Sequence, residues 1–268
     1  MGGVSPEPNA KPPNAEPAST AAAVSTAPPV TVSVVMPVYN EAIGVGEVVA
    51  DIVTHILDTV AGSELITVDD RSTDDTAAVL AGLAAADPRI TVLVNDVNMG
   101  HGRSVRRAMD ASTGAWIFHL DSDGQVDVGE FGLLWQRRDD SDLVLGVRVT
   151  RHDPLHRLLL TRVTRATVSA LARRRVRDAN VPFKLIRREL FEHLAPAIPS
   201  TAFAPSILIV LGAHRAGARV TEVETTHLPR RHGRSTLRLG RLADAVRRST
   251  AETVGFSRRR LRPFRQPG

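Results

Sequence analysis

The chain contains no cysteine, only two lysines (Lys11 and Lys184), and no apolar run near the roughly 20 residues that span a bilayer. Without cysteine there is no disulfide scaffold, no thiolate metal site and no cysteine nucleophile. Without a long apolar run, an integral membrane helix is not expected. Met1 to Pro13 lack the basic-then-apolar profile of an export signal, so export is not expected either. Two nucleotide-binding devices are also missing. No Gly-Lys-Ser/Thr marks a P-loop, and Gly100-His101-Gly102 lacks the third glycine of a dinucleotide fingerprint, Val105 standing in its place.

What is present is enough for a substantial core. A length of 268 residues with 43% hydrophobic side chains allows one large α/β domain or two small ones. The net charge of +5 is unevenly spread: twelve arginines between Pro229 and Gly268 face only Asp244 and Glu252. Arginine presents a planar fork to phosphate oxygens, so an anionic partner at that end is one reading; a solvated basic tail is the other. Nucleic acid is not expected as a partner, because Phe256 and Phe264 are the only aromatics among those arginines to stack on bases. Residues 1–30, rich in Pro, Ala, Ser and Thr, read as a disordered leader. Residues 31–255 read as the folded domain and 256–268 as a basic tail.

Short β-branched strands at 32–36, 64–68, 90–94 and 115–120 alternate with helical stretches at 42–60, 72–86 and 102–112. That alternation predicts a mostly parallel sheet with helices on both faces. Polar clusters fall at the strand ends: Tyr39-Asn40-Glu41, Asp69-Asp70, Asn95 and Asp121-Ser122-Asp123. In an open α/β sheet this is the edge that binds ligands. Further on, helices are expected at 128–136, 155–175, 190–194, 205–216 and 237–254, with strands at 143–149 and 219–223.

Asp121 and Asp123 leave a strand two residues apart, and Gln125 adds an oxygen two residues later. Such a set suits Mg²⁺ or Mn²⁺ shared with substrate phosphates, although for an isolated Asp-x-Asp an aspartate capping the following helix is the commoner explanation. Asp69 and Asp70 can accept hydrogen bonds from a base or ribose, or cap the helix that follows.

Taken in order, Val34 to Glu41, Val68 to Asp74, Asn98 to Gly102 and Asp121 to Gln125 resemble the inverting family 2 glycosyltransferases of the GT-A fold. Arg177 to Lys184 and His227 to Ser235 resemble the dolichyl/polyprenyl-phosphate mannose and glucose synthases within that family. The resemblance implies a single Rossmann-like sheet flanked by helices, with a basic helical C-terminal part. It implies a nucleotide diphosphate sugar as donor, of GDP-mannose or UDP-glucose type, and polyprenyl phosphate as acceptor. Pro37, Tyr39, Glu41, Asp69 and Asp70 then match nucleotide-binding positions, and Asp121, Asp123 and Gln125 match metal ligands. Arg148, Lys184, Arg230 and Ser235 match positions around the diphosphate and acceptor phosphate. Asp121, Asp123, Arg230 and Asp178 form the catalytic set, Asp178 acting as a base or as the residue that orients Lys184, the second being favoured.

The acceptor decides whether a base is needed. A hydroxyl must lose a proton, whereas a polyprenyl phosphate is already ionised. Residues 201–208 contain no carboxylate, unlike some relatives of the lipid-phosphate group. Residues 155–175 place Leu155, Leu159, Val163, Ala166 and Ala170 at helical spacing, with Arg157, Arg162, Arg165 and Arg173 to Arg175 between them. This basic amphipathic pattern fits a membrane surface as well as a helix packed on the sheet; the resemblance favours peripheral contact on the cytoplasmic face.

Overall fold

The computed structural model describes residues 1–2, 30–148, 155–229 and 239–266. The leader expected at 1–30 falls almost wholly outside them. β1 (Val32–Val38) is buried along its whole length, as the Val-rich run of a strand covered on both faces must be. It pairs in parallel with β2 (Ser63–Asp69) on one side and β4 (Trp116–Leu120) on the other. β3 (Ile90–Val94) adds outside β2. Beyond β4 come β6 (Phe183–Arg187), β5 (Leu143–Arg148) and β7 (Val220–Thr225), giving the order β3-β2-β1-β4-β6-β5-β7. β6 runs antiparallel to both neighbours and the other pairs are parallel. The sheet is therefore mostly parallel, as expected. β6 itself was not expected, because Lys184 interrupts its short apolar run.

The helices are α1 (Val45–Ile52), α2 (Thr76–Ala86), α3 (His101–Ala111), α4 (Phe131–Trp135), α5 (Leu155–Ala172), α6 (Arg188–Leu194), α7 (Pro205–Ala216) and α8 (Leu239–Ser257). Two differ from the sequence reading. α1 passes into a π-helical turn at Val53–Leu57 before the chain reaches β2. α2 starts at Thr76 rather than at Ser72 or Thr73, since residues 72–75 are consumed by a hydrogen-bonded turn described below. α7 is buried almost throughout, and α5 and α8 both pack against it.

Residues 258–266, expected as a basic tail, are laid back along the domain. Phe264 N donates to Ala216 O (2.8 Å), His193 Nε2 to Arg262 O (2.9 Å), and Gln266 Nε2 to Asp142 Oδ1 (2.6 Å). Half-buried Leu261 and Phe264 pack on the core. These apolar side chains and backbone bonds outweigh the freedom that the intervening arginines favour.

Candidate active site

The order of strands reverses on either side of β1, so the crevice at its carboxyl end is the place where an open α/β sheet takes a ligand. Two loops are stitched together there. Asn40 adopts a left-handed φ of 54°, as does Arg71 at 63°. Asn40 N donates to Ser72 Oγ (3.0 Å), and Thr73 N donates to Asn40 Oδ1 (2.8 Å). Glu41 N donates to Thr76 Oγ1 (2.9 Å), which itself donates to Asp74 Oδ1 (2.5 Å). Burial works against the Asp74 charge, but bonds from Thr76 and Ala42 prevail and hold its pKa below the ordinary value. The result is a firm wall on which the Tyr39 ring is 39% exposed, with Pro37 and Glu41 buried behind it.

Asp69 and Asp70 meet the second of their two expected roles, bonding the protein's own turns. Both are buried and turned inward. Asp69 Oδ1 accepts Ser72 N (3.0 Å) and Ser72 Oγ (2.5 Å). The Asp70 carboxylate accepts Asn95 Nδ2 (2.7 Å), Met99 N (2.8 Å) and Gly100 N (2.8 Å). These bonds fix the 95–100 turn, whose Gly100 takes a φ of 89° that only glycine tolerates freely. The pair braces this wall from behind.

Asp121 follows β4 immediately and its side chain is 27% exposed. His101, the first residue of α3, brings Nε2 to 2.9 Å from Asp121 Oδ1, and His119 Nε2 lies 3.7 Å from the same oxygen. Burial alone would raise the Asp121 pKa; His101, His119 and Lys184 outweigh it, so the carboxyl stays ionised below its usual range. Partial desolvation of His101, which remains 59% exposed, opposes its charge, yet Asp121 and, further off, Asp123 and Asp70 raise its pKa. Burial drives His119 the other way, to about 3, leaving a neutral imidazole. Among the described residues, His101, His119 and Asp121 form a cluster of potential metal ligands, their donor atoms all within 4.8 Å of one another. Neither histidine was singled out from the sequence. The signal was there: His119 precedes Asp121 by two residues on a strand and so shares its face.

Asp123 Oδ1 accepts Gln125 N (3.2 Å). The Gln125 side chain reaches to 3.5 Å from His227 Nε2, and Val126 forms an isolated bridge with His227. Leu228 N donates to Gln125 O (2.9 Å), while Glu130 accepts Thr226 N (2.7 Å) and Thr226 Oγ1 (2.6 Å). The loop after β7 is thus clasped onto the loop after β4, adding His227 to the site. An ionised Asp121 beside a neutral imidazole is a donor pair that fits a divalent cation; Asp123 and Gln125 follow on the next turn, bonded to each other, Gln125 also to His227.

Basic residues assigned to phosphates also differ from expectation. Lys184 is fully buried and donates to Ser206 Oγ (2.5 Å) and Ala179 O (3.4 Å). Burial lowers its pKa to about 7, Asp178 and Asp121 partly opposing the fall. It sits directly across from His119 in the β4–β6 register, below the site rather than on its surface. Asp178 does not bond Lys184 but grips Arg148, whose Nε and Nη2 lie 2.9 and 2.8 Å from Asp178 Oδ2. The pairing follows from reach: Arg148 leaves the end of β5 beside the 178–180 turn. Arg230 and Ser235 lie outside the described residues.

The carboxylate absent from 201–208 arrives from elsewhere. Glu252 on α8 accepts Phe203 N (2.8 Å) and Ala204 N (3.0 Å), capping α7. The same segment presses on α3: a Cβ at Gly102 would lie 2.2 Å from Phe203 O. The starts of α3 and α7 therefore meet beside Asp121.

The sequence model of Glycosyl transferase family 2 matches residues 33–199. Glycosyltransferase AglD of Haloferax volcanii is 30% identical over 208 residues, covering 75% of this chain and 33% of that protein. Undecaprenyl-phosphate 4-deoxy-4-formamido-L-arabinose transferase of Sodalis glossinidius is 28% identical over 218 residues, covering 80% of this chain and 65% of that protein. The chain thus spans a third and just under two thirds of these relatives. In fold, it resembles glucosyl-3-phosphoglycerate synthase of Mycobacterium tuberculosis, solved with Mn²⁺, uridine diphosphate and glucosyl-3-phosphoglycerate. The TM-score is 0.63 at 20% identity, over 85% of this chain and 80% of the other. It resembles S. aureus TarS more distantly, with a TM-score of 0.54 at 20% identity, over 74% and 60% of the two chains. These likenesses establish the GT-A architecture.

Proposed function

The chain belongs to glycosyl transferase family 2, and from that premise we propose that it moves a hexose from a nucleotide diphosphate sugar to polyprenyl phosphate, with inversion. The observation that carries the choice of acceptor is the commitment of the second-half carboxylates. Asp178 is locked on Arg148 and Glu252 on the α7 amides, so neither is poised to take a proton from a hydroxyl. A phosphate acceptor needs no such base. The undecaprenyl-phosphate transferase among the relatives supports the same class.

The donor's base and ribose lie against Tyr39, Pro37 and Glu41, on the wall that Asp69 and Asp70 hold in place. Asp121, Asp123 and Gln125 would hold Mg²⁺ or Mn²⁺, which when bound neutralises negative charge building on the leaving diphosphate. Arg148, held in a fixed direction by Asp178, lends its guanidinium field to the phosphate side of the site. Lys184 braces the site from beneath, tied to Ser206 and the 179 carbonyl under the Asp121 end of β4. Arg230 and Ser235 complete the acceptor side by their motif. Arg162, Val163, Arg165 and Arg173 to Arg175 are exposed on or just beyond α5, a basic surface suited to anionic headgroups. No helix among the described residues is long and apolar enough to cross a membrane; peripheral attachment to the cytoplasmic face is part of the proposal.

Labelled nucleotide sugars offered with polyprenyl phosphate and soluble hydroxyl acceptors together test this reading. Label should enter a lipid product that survives base and is released by mild acid. Label found only in soluble glycosides would sink the polyprenyl assignment.

A further inference from the structure

His119 is a buried polar group without a partner. It is 1% exposed, and neither Nδ1 nor Nε2 has a hydrogen bond. A buried donor or acceptor left unpaired forfeits its hydration without return, so a ring buried there calls for a ligand. Its cross-strand neighbour Lys184 does not meet the need, since that ammonium is directed to Ser206 and Ala179. The polar atom facing Nε2 is Asp121 Oδ1 at 3.7 Å. That separation is too long for a hydrogen bond. It does fall within the span that one cation bridges: with bonds of about 2.1 Å, two ligands lie between about 3.0 Å apart when cis and about 4.2 Å when trans, and the donor atoms of His119, Asp121 and His101 all lie within 4.8 Å of one another.

We infer that His119 supplies an imidazole nitrogen to the cation held by Asp121, and that the site thereby selects a transition metal of Mn²⁺ type over Mg²⁺. The inference rests on the reading of Asp121 as a metal ligand. Chemistry gives it direction: Mg²⁺ takes oxygen ligands and keeps its waters, whereas Mn²⁺, though itself oxygen-favouring, accepts an imidazole nitrogen more readily than Mg²⁺ does. His101, 59% exposed and 2.9 Å from Asp121 Oδ1, holds that carboxylate from the solvent side as the metal approaches.

The test is Mn²⁺ binding to the full chain by electron paramagnetic resonance, with pulsed detection of ¹⁴N coupling and without any turnover. In the unmodified chain, bound Mn²⁺ should show imidazole ¹⁴N coupling. The coupling should vanish in His119→Phe, with Mn²⁺ affinity about 10-fold or more weaker and Mg²⁺ affinity nearly unchanged. It should persist in His101→Asn/His227→Asn, which keeps His119 and guards against a His119 variant that fails to fold. Asp121-dependent binding without ¹⁴N coupling, or coupling lost in His101→Asn/His227→Asn, overturns the His119 assignment and leaves the Asp121 site standing. Mn²⁺ binding that is indifferent to Asp121→Asn overturns both.

Discussion

Replacing Lys184 with methionine should abolish an alkaline rise in stability. The ammonium is fully buried, and its pKa falls from an ordinary 10.5 to about 7 in the fold. Between those values the unfolded chain carries a proton that the folded chain does not. Stability therefore increases as pH rises from about 7 toward 10, and the burial penalty is complete only below 7. At about 1.4 kcal/mol per tenfold change in proton affinity, the climb from pH 7 to 10 amounts to ~3–4 kcal/mol. For a domain of this size that is roughly 10 °C in melting temperature. The composition makes the experiment clean: with no cysteine, one tyrosine and one other lysine, few other groups titrate in this window. Urea unfolding followed through Trp116 and Trp135 at pH 7, 8, 9 and 10 reads it directly. The unmodified chain should gain stability across the series while Lys184→Met stays flat. Parallel curves for the two proteins would refute a buried, proton-shedding Lys184.

Two further perturbations bear on the frame around the site. Gly102→Ala drives a Cβ to 2.2 Å from Phe203 O and 2.8 Å from Ala202 O, an overpacking that should cost about 1–3 kcal/mol. Gly82→Ala, with open space at the same test, should instead gain up to about 1 kcal/mol of helix propensity; thermal melts that reverse this order contradict the packing of α3 on α7. Asp178→Asn strips Arg148, 15% exposed, of its carboxylate and should cost about 3–5 kcal/mol in urea unfolding. A loss below 1 kcal/mol would mean that the pair does not organise the β5 end.

The parallel half of the sheet was legible because each strand is a short apolar run ending in a polar cluster. The strand ends duly meet in one crevice. β6 escaped because its Lys184 looks like a surface residue; only the partners supplied by Ser206 and the 179 carbonyl make such a burial possible. The same limit applies to the acids. Asp69-Asp70 can be read locally as a ligand pair, but what Asp70 bonds depends on Asn95, Met99 and Gly100, some 25 to 30 residues away. Glu252 lies about 50 residues from the amides it caps, and no spacing rule reaches that far. His119 was the recoverable omission, since strand periodicity alone sets it beside Asp121.

Asp121→Asn offers the most direct check on the whole reading. Transfer from a labelled nucleotide sugar to polyprenyl phosphate would be measured with Mn²⁺ present, alongside a melt to establish that the fold is kept. The expected result is lipid-linked sugar from the unmodified chain, loss of it on chelation, and at least a hundredfold loss in Asp121→Asn at near-unchanged melting temperature. Equal lipid product from both proteins, or product indifferent to chelation, would contradict it.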